Sequence, residues 1–399
     1  MAGARLTGTV KHYDWGGFSF IPSLLNVSNP DKKPFAEYWM GVHPQAGCRI
    51  EIDNTSYGLP DYIQQNRPSV LGAYVDQHFG NIPYLFKTLD VRDMLSIQVH
   101  PSKAEAEKDF ARENEAGIPL DSPERNYKDA NHKPELLVAV GEFWLLHGFK
   151  PEPILRKTLA AVPELASLLP VYDEAGYKGL YSHVMQMPQE AVNAQLKPLL
   201  DRIIPLYQAG KLEKSSEDYW AAKGALTFSQ PGKTDRGLFS IYFFNLVHLD
   251  RGEAVFQDAG VPHAYLEGQN IEIMSSSDNV LRGGLTTKHI DVKELLKHVK
   301  CEATQPRILK GEISGDAVLY KTSAPDFELS SFSVKQGATA SFTPVTAEIL
   351  LLTDGEATVS PGIVLKKGAP SMIVFPGDKV QIEAMQNCVI FRASVPIPG

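Results

Sequence analysis

The sequence AEILLLTDGEATV, residues 347–359, is an apolar run that stops at an Asp-Gly pair and resumes as a second, shorter run. This pattern is typical of β-strands separated by a tight turn. Similar patterns flank it in LYKTSAPDFELSSFSV (319–334) and SMIVFPGDKVQIEA (371–384). From about Ile308 onward the sequence therefore predicts strand after strand, at the spacing of a β-sandwich or jelly roll.

A helical segment interrupts the β pattern earlier in the chain. In PEPILRKTLAAVPELASLL (151–169) and PQEAVNAQLKPLLDRIIPLYQAGKL (188–212), apolar residues recur at the spacing of amphipathic helices. Strand patterns precede this segment and return from Gly237 in LFSIYFFNLVHLDRGEAVFQDAG (238–260). The order of the patterns predicts three domains: a β domain from residues 1–150 and 229–307, a helical domain from residues 151–228, and a C-terminal β domain from residues 308–399.

Composition narrows the class of protein. The 399 residues are 43% hydrophobic and 22% charged, which is ordinary for a globular protein with a sizeable core. The net charge of −8 argues against a nucleic-acid-binding protein, because such proteins usually present a basic face. A local cluster of Lys and Arg would still allow an anionic small substrate.

The expected location follows from cysteines and hydropathy. Only three cysteines occur, far apart and without a CxxC pair: Cys48, Cys301 and Cys388. They argue against a disulfide framework or a Cys-rich zinc site, and they fit a reducing compartment. We find no secretory signal and no apolar run of membrane-spanning length, so we expect a cytoplasmic protein with no membrane contact.

The segment MLSIQVHP, residues 94–101, predicts a strand with two different faces. Because side chains alternate along a strand, its apolar residues share one face, and Ser96, Gln98 and His100 share the other. A helix should follow, because Ser102 and Glu105 have the spacing of a capping box. The polar face makes this strand a candidate part of a site.

Gln98 and His100 form half of a candidate metal site. Glu135 stands at the proline-marked start of a predicted buried strand, and His263 follows a proline at the end of a loop. Two histidines, a carboxylate and an amide oxygen suit zinc with an open coordination position, and other divalent metals accept the same ligands. These residues could instead have structural roles, with His100 ending a strand and Glu135 forming an ion pair with Lys133. No compact motif such as HExxH decides between the metal site and these structural roles.

The stretch PHAYLEGQNIEIMSSSDNVLRGGLTTK, residues 262–288, also points to a site. It combines a histidine, the carboxylates Glu272 and Asp278, and Arg282 with many glycines and small polar residues. Packing alone does not require this mixture. We therefore expect the stretch to form one wall of a functional site.

Several of these segments resemble the signatures of the type I phosphomannose isomerases, a zinc-dependent family. The strongest similarity lies in IQVHP (97–101), YKDANHKPE (127–135) and the stretch 263–288. Other matching segments are YDWG (13–16), EYWMG (37–41), LFKTLDV (85–91) and VHLDRGEAVFQDAGVPHAYL (247–266). The resemblance implies a cupin-like double-stranded β-helix (jelly roll) as the catalytic domain, a helical domain and a second jelly roll at the C-terminus.

The resemblance also implies site residues and one zinc ion per chain. The zinc ligands fall on Gln98, His100, Glu135 and His263. Residues expected to be catalytic are Arg282, Lys133, Glu272 and His132. Residues expected to contact substrate are Lys87, Ser96, Tyr265, Asp278 and Lys288.

The implied reaction interconverts mannose 6-phosphate and fructose 6-phosphate through a cis-enediol. We expect Arg282 to stabilise enediolate charge, because a guanidinium resists deprotonation; its alternative is a structural salt bridge with Asp278 or Glu272. Lys133, Glu272 and His132 remain rival bases. The family also implies a role in mannose metabolism and in the supply of GDP-mannose precursors.

The sequence departs from the family pattern at a few positions without losing a ligand or a charged group. Gly283 beside Arg282 is the departure expected to matter, because it should loosen the loop. The other departures are Met94, Arg251, Ser275 and Thr287.

Two other functions use the same fold: a cupin that binds a sugar phosphate without turnover, and a metal-dependent oxygenase. Arg282, Lys133 and the uninterrupted SDNVLR loop favour catalysis over mere binding. Gln98 as a fourth protein ligand argues against the two-His-one-carboxylate iron site of an oxygenase. We therefore expect an isomerase that acts as a monomer on a small phosphosugar.

Overall fold

The computed structural model describes residues 3–398, and these are mainly β with a block of helices. The strands are β1 Gly3–Thr7, β2 Thr9–Lys11, β3 Glu37–Gly41, β4 Arg49–Ile52, β5 Thr55–Gly58, β6 Tyr84–Val91, β7 Ile97–Val99, β8 Glu135–Phe149, β9 Phe244–Leu249, β10 Ala254–Gln257, β11 His263–Ser275, β12 Leu281–Gly284, β13 Glu312–Ser314, β14 Ala317–Tyr320, β15 Glu328–Val334, β16 Thr339–Phe342, β17 Glu348–Asp354, β18 Ala357–Val359, β19 Ile363–Leu365, β20 Ser371–Val374, β21 Val380–Ala384 and β22 Cys388–Ser394. The helices are α1 Phe20–Leu24, α2 Leu59–Leu71, α3 Ala73–His78, α4 Lys103–Glu115, α5 Glu152–Ala161, α6 Leu169–Gln186, α7 Gln189–Gln208, α8 Glu217–Phe228, α9 Gly237–Phe243 and α10 Val292–His298, with a 3₁₀ helix at Pro163–Leu168.

The sheet that carries the candidate site has nine strands. Six follow the order β10-β8-β11-β6-β3-β2, while β9 pairs with β8, and β7 joins β11 to β12. Its centre is the antiparallel pair of β8 and β11, whose register runs from His263 opposite His147 to Met274 opposite Glu135. Both strands are long and largely buried because each contains an apolar run with few breaks.

A second nine-stranded sheet has the order β13-β14-β15-β22-β17-β20-β1-β4-β5, and a four-stranded sheet has the order β16-β21-β18-β19. These sheets contain ten strands after residue 308, which confirms the prediction of successive strands in that region. Between the two sheets lies an apolar core that includes Phe332, Leu350 and Ile382. The first strand of the chain also belongs here, because β1 pairs with β20 from Gly3 opposite Val374. Hydrogen bonds therefore cross the boundary drawn by sequence between residues 1–150 and 308–399.

The helical segment forms as the spacing of its apolar residues predicts. Helices α5 to α8 fill most of residues 151–228 and bury one shared core around Trp220 and Leu196. That core also includes Ile97 of β7 and Leu281 of β12. The helices thus support the strands that carry Gln98 and Arg282 from behind.

One stretch forms a different element from the predicted one. LFSIYF was predicted as the start of a strand, and this was wrong, because Gly237–Phe243 is helix α9. Every residue of α9 is buried, so its apolar run has no exposed face to give helical periodicity. A short run that is apolar on all sides fits a buried strand and a buried helix equally well.

The predicted start of helix α4 is confirmed, and α10 begins at a similar cap. Ser102 caps α4 in a complete capping box, in which its hydroxyl accepts from the Glu105 amide and the Glu105 carboxylate accepts from the Ser102 amide. Asp291 caps α10 by accepting from the Glu294 amide at 2.9 Å. Helix α4 begins shortly after His100 and Pro101, so its cap fixes the direction in which the chain leaves β7.

Candidate metal centre and active-site cleft

Three of the predicted ligands lie together on the first nine-stranded sheet. Glu135 begins β8, His263 begins β11 and His100 follows β7. The Glu135 carboxylate lies between the two rings, with Oε1 3.4 Å from His100 Nε2 and Oε2 3.3 Å from His263 Nε2. All three residues are buried, and their ligand atoms lie within 4.8 Å of one another. Strand register therefore assembles residues that are far apart in sequence.

The hydrogen bonds of the two rings prepare them as metal ligands. His100 Nδ1 donates to the backbone carbonyl of Asn279 at 2.8 Å, and His263 Nδ1 donates to that of Val261 at 2.9 Å. Both Nε2 atoms are buried, and no residue among 3–398 forms a hydrogen bond with either of them. Burial, with some help from Lys133, lowers the pKa of His100 to about 4, so this ring is neutral near pH 7. Two orphaned nitrogens beside a carboxylate form a donor set that suits zinc.

Gln98 lies next to this cluster. It is the cross-strand neighbour of His263 in β11 and of Arg282 in β12. Its side chain, with those of Glu135 and His263, lines a cavity of about 80 Å³. The alternation predicted for residues 94–101 is regular only within β7, Ile97–Val99, but it brings Gln98 to the metal side.

The small cavity is walled by a chain of charged contacts. Lys87 Nζ donates to Glu272 Oε2 at 2.6 Å, and the Tyr265 hydroxyl donates to Glu272 Oε1 at 2.7 Å. Lys133 Nζ lies 2.8 Å from Glu135 Oε1. Burial lowers the pKa of Lys87, but Glu272 and other carboxylates outweigh it and raise the pKa overall. Lys87 is therefore a fixed cation that holds the Glu272 carboxylate in the cavity.

A larger cleft of about 710 Å³ opens from the small cavity, and Gln98 lines both. Ser96, Arg282 and Lys288 line the cleft. Among residues 3–398 Arg282 has no ion-pair partner, so the salt bridge with Asp278 or Glu272 that was its structural alternative does not form. An unpaired guanidinium in this cleft is available to an anionic ligand.

Two predicted residues point elsewhere. His132 Nε2 lies 2.6 Å from Asp326 Oδ2, which belongs to the C-terminal region, and His132 lines neither cavity of the metal cluster. Asp278 Oδ2 lies 3.2 Å from His43 Nε2. Burial raises the pKa of Asp278, but the bond with His43 and the nearby lysines outweigh it and lower the pKa overall. The sequence could not show these pairs, because both depend on tertiary contacts.

The glycine that departs from the family pattern is enclosed. Gly283 lies within β12, and a Cβ there would stand 2.8 Å from the Tyr181 hydroxyl and 2.9 Å from the nearest side-chain carbon of Ile97. The expectation of a loosened loop is therefore wrong, because residues 281–284 form a strand whose spare space is filled by Tyr181.

The sequence analysis missed Glu37. This carboxylate begins β3, is buried, and lines both the small cavity and the larger cleft. It accepts a hydrogen bond from Trp39 Nε1 and lies 3.7 Å from Lys87 Nζ. Burial raises its pKa, partly offset by Lys87. The sequence feature that could have revealed Glu37 is a carboxylate in the otherwise apolar strand EYWMG, because burying an unpaired charge is unfavourable.

A second buried group, Asp109, Glu294 and His298, also has metal-ligand geometry. It joins α4 to α10, and its carboxylates already bind cations: Lys297 Nζ donates to Glu294 at 3.2 Å, and Arg112 lies 3.1 Å from both carboxylates. We interpret this cluster as an ion-pair network that fixes the two helices.

Fold and site together define a metal-dependent β protein whose cleft contains Arg282 and Lys288, two side chains that suit a small anionic ligand. Residues 4–152 match the family model of the phosphomannose isomerase type I catalytic domain. The chain is 36% identical over 392 residues to mannose-6-phosphate isomerase of Salmonella typhimurium, with 96% of each chain covered. It is 33% identical to that of Homo sapiens, with 97% of each covered. The chain belongs to the type I phosphomannose isomerase family.

Solved structures agree over the full length. A zinc-bound mannose 6-phosphate isomerase superimposes with a TM-score of 0.87 at 32% identity, and each chain is completely covered. The Salmonella typhimurium isomerase bound to its substrate and to zinc gives a TM-score of 0.86 at 32% identity, also over both complete chains. No helix within residues 3–398 is long and apolar enough to cross a membrane.

Proposed function

We propose that this chain is a zinc-dependent isomerase that interconverts mannose 6-phosphate and fructose 6-phosphate. The observation that carries the proposal is the buried triangle of His100, Glu135 and His263, with two orphaned Nε2 atoms, beside a cleft that presents the unpaired Arg282. A metal cluster next to a cleft that contains Arg282 and Lys288 suits a phosphosugar, whose hydroxyls and phosphate need different partners. The full-length relatives bear this activity in their names.

Zinc fits the donor set, and Gln98 is our fourth protein ligand. Its position opposite His263 and its exposure to the same cavity support this assignment. Bound zinc supplies a Lewis acid that polarises a sugar oxygen. The remaining steps are assigned to side chains of this chain.

The isomerisation moves one proton from C2 of the aldose to C1, while a second proton passes between O1 and O2. We assign removal of the C2 proton to Glu272, because its carboxylate lines the small cavity and is fixed there by hydrogen bonds from Lys87 and Tyr265. Lys133 is the rival for this role, and its contact with Glu135 favours a part in binding or in the O1–O2 proton transfer. His132 is disfavoured because it faces Asp326.

Residues of the larger cleft are assigned to binding the negative charges of the substrate. We propose that Arg282 stabilises the negative charge of the cis-enediolate, since it lines the cleft and none of the described residues forms an ion pair with its guanidinium. Ser96 and Lys288 line the same cleft and are assigned to the phosphate end. Asp278 is assigned to the sugar hydroxyls, because its contact with His43 leaves the carboxylate partly open.

The test is a coupled assay with mannose 6-phosphate, run with and without a chelator. We expect turnover that disappears with the metal and returns with zinc. Running the reaction in deuterated water should place deuterium at C2 of recovered mannose 6-phosphate wherever the protonated base exchanges with solvent before it returns the proton. Turnover after complete metal removal, or none with zinc restored, would refute the proposal.

We further propose a setting for this activity. The two sheets around the C-terminal core support a second jelly roll at residues 308–399, next to a cupin-like domain at residues 1–150 and 229–307 and a helical domain at residues 151–228. Three unpaired cysteines support a cytoplasmic enzyme. In this proposal the enzyme acts as a monomer and binds neither nucleic acid nor membrane. Its product mannose 6-phosphate is a precursor for the synthesis of GDP-mannose.

A further inference from the structure

Asn279 lies in the sequence between Asp278 and the cleft residue Arg282, but its own side chain turns away into the protein and is 1% exposed. Its Oδ1 accepts from the backbone amides of Lys128 at 2.7 Å and Asp129 at 3.3 Å. Its Nδ2 donates to the backbone carbonyls of Asp129 and Asn131, both at 2.8 Å. One amide side chain thus satisfies four backbone groups of residues 128–131.

Asp129 makes the reciprocal connection. Its Oδ2 accepts from the backbone amide of Asp278 at 2.8 Å, and its Oδ1 accepts from the Ser277 hydroxyl at 2.8 Å. Oδ1 also accepts from the Asn131 amide at 2.9 Å. Side chains from each segment therefore bind the other segment, residues 128–131 and residues 277–279. We call the side chains of Asn279 and Asp129 together the Asn279–Asp129 clamp.

The clamp connects two parts of the metal cluster. The backbone carbonyl of Asn279 accepts from His100 Nδ1, and this bond directs His100 Nε2 towards Glu135. Residue 131 is only two positions before Lys133, which contacts Glu135. Fixing Asn279 therefore fixes the tautomer and angle of one histidine ligand and the approach of the chain to the carboxylate ligand.

We propose that Asn279 and Asp129 are positioning residues for the zinc centre, an inference that rests on the proposed function for its link to catalysis. Neither side chain lines the two cavities of the site. They act through the backbone, by holding the Asn279 carbonyl against His100 and by holding Lys133 beside Glu135. A purely structural role would lower stability and leave metal affinity unchanged.

The experiment compares Asn279→Ala with a matched control, Asn193→Ala. Asn193 in α7 also bridges a loop with both ends of its amide, donating to the Gly232 carbonyl at 2.7 Å and accepting from the Thr234 amide at 2.9 Å, but it lies in the helical segment. Zinc affinity is measured by competition with a chromophoric chelator, together with thermal midpoint, kcat and KM. We expect Asn279→Ala to bind zinc about 10–100-fold more weakly and to lose kcat more than KM rises. Asn193→Ala should lower the midpoint alone.

Zinc affinity within about twofold of wild type in a folded Asn279→Ala protein would overturn the proposal. Should that variant not fold, Ser277→Ala removes a single hydroxyl that donates to Asp129 of the clamp, and an unchanged zinc affinity there would have the same meaning. Zinc affinity also separates this inference from the proposed function. Wild-type protein that binds zinc without isomerase activity would refute the function, and the affinities of the variants would still decide the role of the clamp.

Discussion

Replacing Arg282 with alanine tests the electrostatic part of the mechanism most directly. Arg282 lines the cleft without an ion pair among the described residues, so its removal leaves no protein anion exposed and no network broken. It is not one of the residues that line the small cavity with Gln98, Glu135 and His263. The substitution should therefore leave the fold and the zinc site intact and remove only its contact with the reacting sugar.

The expected loss can be estimated from the surroundings of the guanidinium. Burial lowers the pKa of Arg282, which shows that its charge is partly desolvated, and charges interact more strongly where water is displaced. Removing one fixed donor to a developing oxyanion costs about 2.7–4 kcal/mol, or about 10²–10³ in kcat. Arg282→Lys keeps the charge but not the planar fork, so it should recover only part of this loss.

The measurement is steady-state kinetics with mannose 6-phosphate, with zinc content determined on the same samples. Arg251→Ala is the control: this exposed arginine pairs with Asp354 far from the cleft, and its loss should cost about 0–1 kcal/mol of stability with no change in kcat. A metal-loaded Arg282→Ala protein with near-normal kcat would refute the role assigned to Arg282. Loss of zinc together with kcat would show instead that Arg282 supports the metal site.

Three further predictions concern stability and metal binding. Ser102→Ala should destabilise the fold by about 1 kcal/mol in urea unfolding, because it removes the cap of α4; a change confined to experimental error would mean that Pro101 alone sets this helix start. Burial raises the pKa of Glu294, but hydrogen bonds from His298, Tyr127 and other neighbours outweigh burial and lower the pKa overall. The charged carboxylate therefore stabilises the fold above pH 4.5, the ordinary pKa of a glutamate, and this stabilisation is lost as the pH falls below that value. Glu294→Gln should therefore cost about 2 kcal/mol at neutral pH, and its difference from wild type should shrink as the pH falls below 4.5; a constant difference across that range would contradict the reasoning. Zinc at about 1,000 times its dissociation constant should stabilise wild type by about 4 kcal/mol in thermal unfolding, and His263→Ala, which removes an orphaned nitrogen of the cluster, should lose most of that gain.

Local patterns predicted much of the fold. The strands after residue 308 and the helices in residues 151–228 depend on periodicity and turn residues, which a short window of sequence contains. Helix α9 was missed because a run buried on all sides carries no periodicity. The pairing of β1 with β20 was missed because no local signal connects residues more than 350 positions apart in the chain.

For the candidate site too, the sequence indicated some residues, while contacts that form only in the folded protein were missed. Alternation on one strand made Gln98 and His100 candidate ligands, neighbouring prolines marked Glu135 and His263, and the family signatures supported all four. The partners of His132 and Asp278 were not found, since Asp326 and His43 approach them only after the sheets have packed. Glu37 was overlooked although a buried carboxylate in an apolar strand is a readable signal.

The position of β1 between β20 and β4 has a consequence for synthesis of the chain on the ribosome. Strand β1 leaves the ribosome well before residues 371–374, so the edge that pairs with β20 stays uncovered until those residues are made. Until then a growing chain exposes one unpaired edge with apolar side chains such as Leu6, and closure over so long a loop is slow. We expect chains truncated before residue 371 to aggregate or to bind chaperones in a pulse-labelling experiment. Truncated chains that stay monomeric and unbound would show that β1 and β4 are protected without their C-terminal partner.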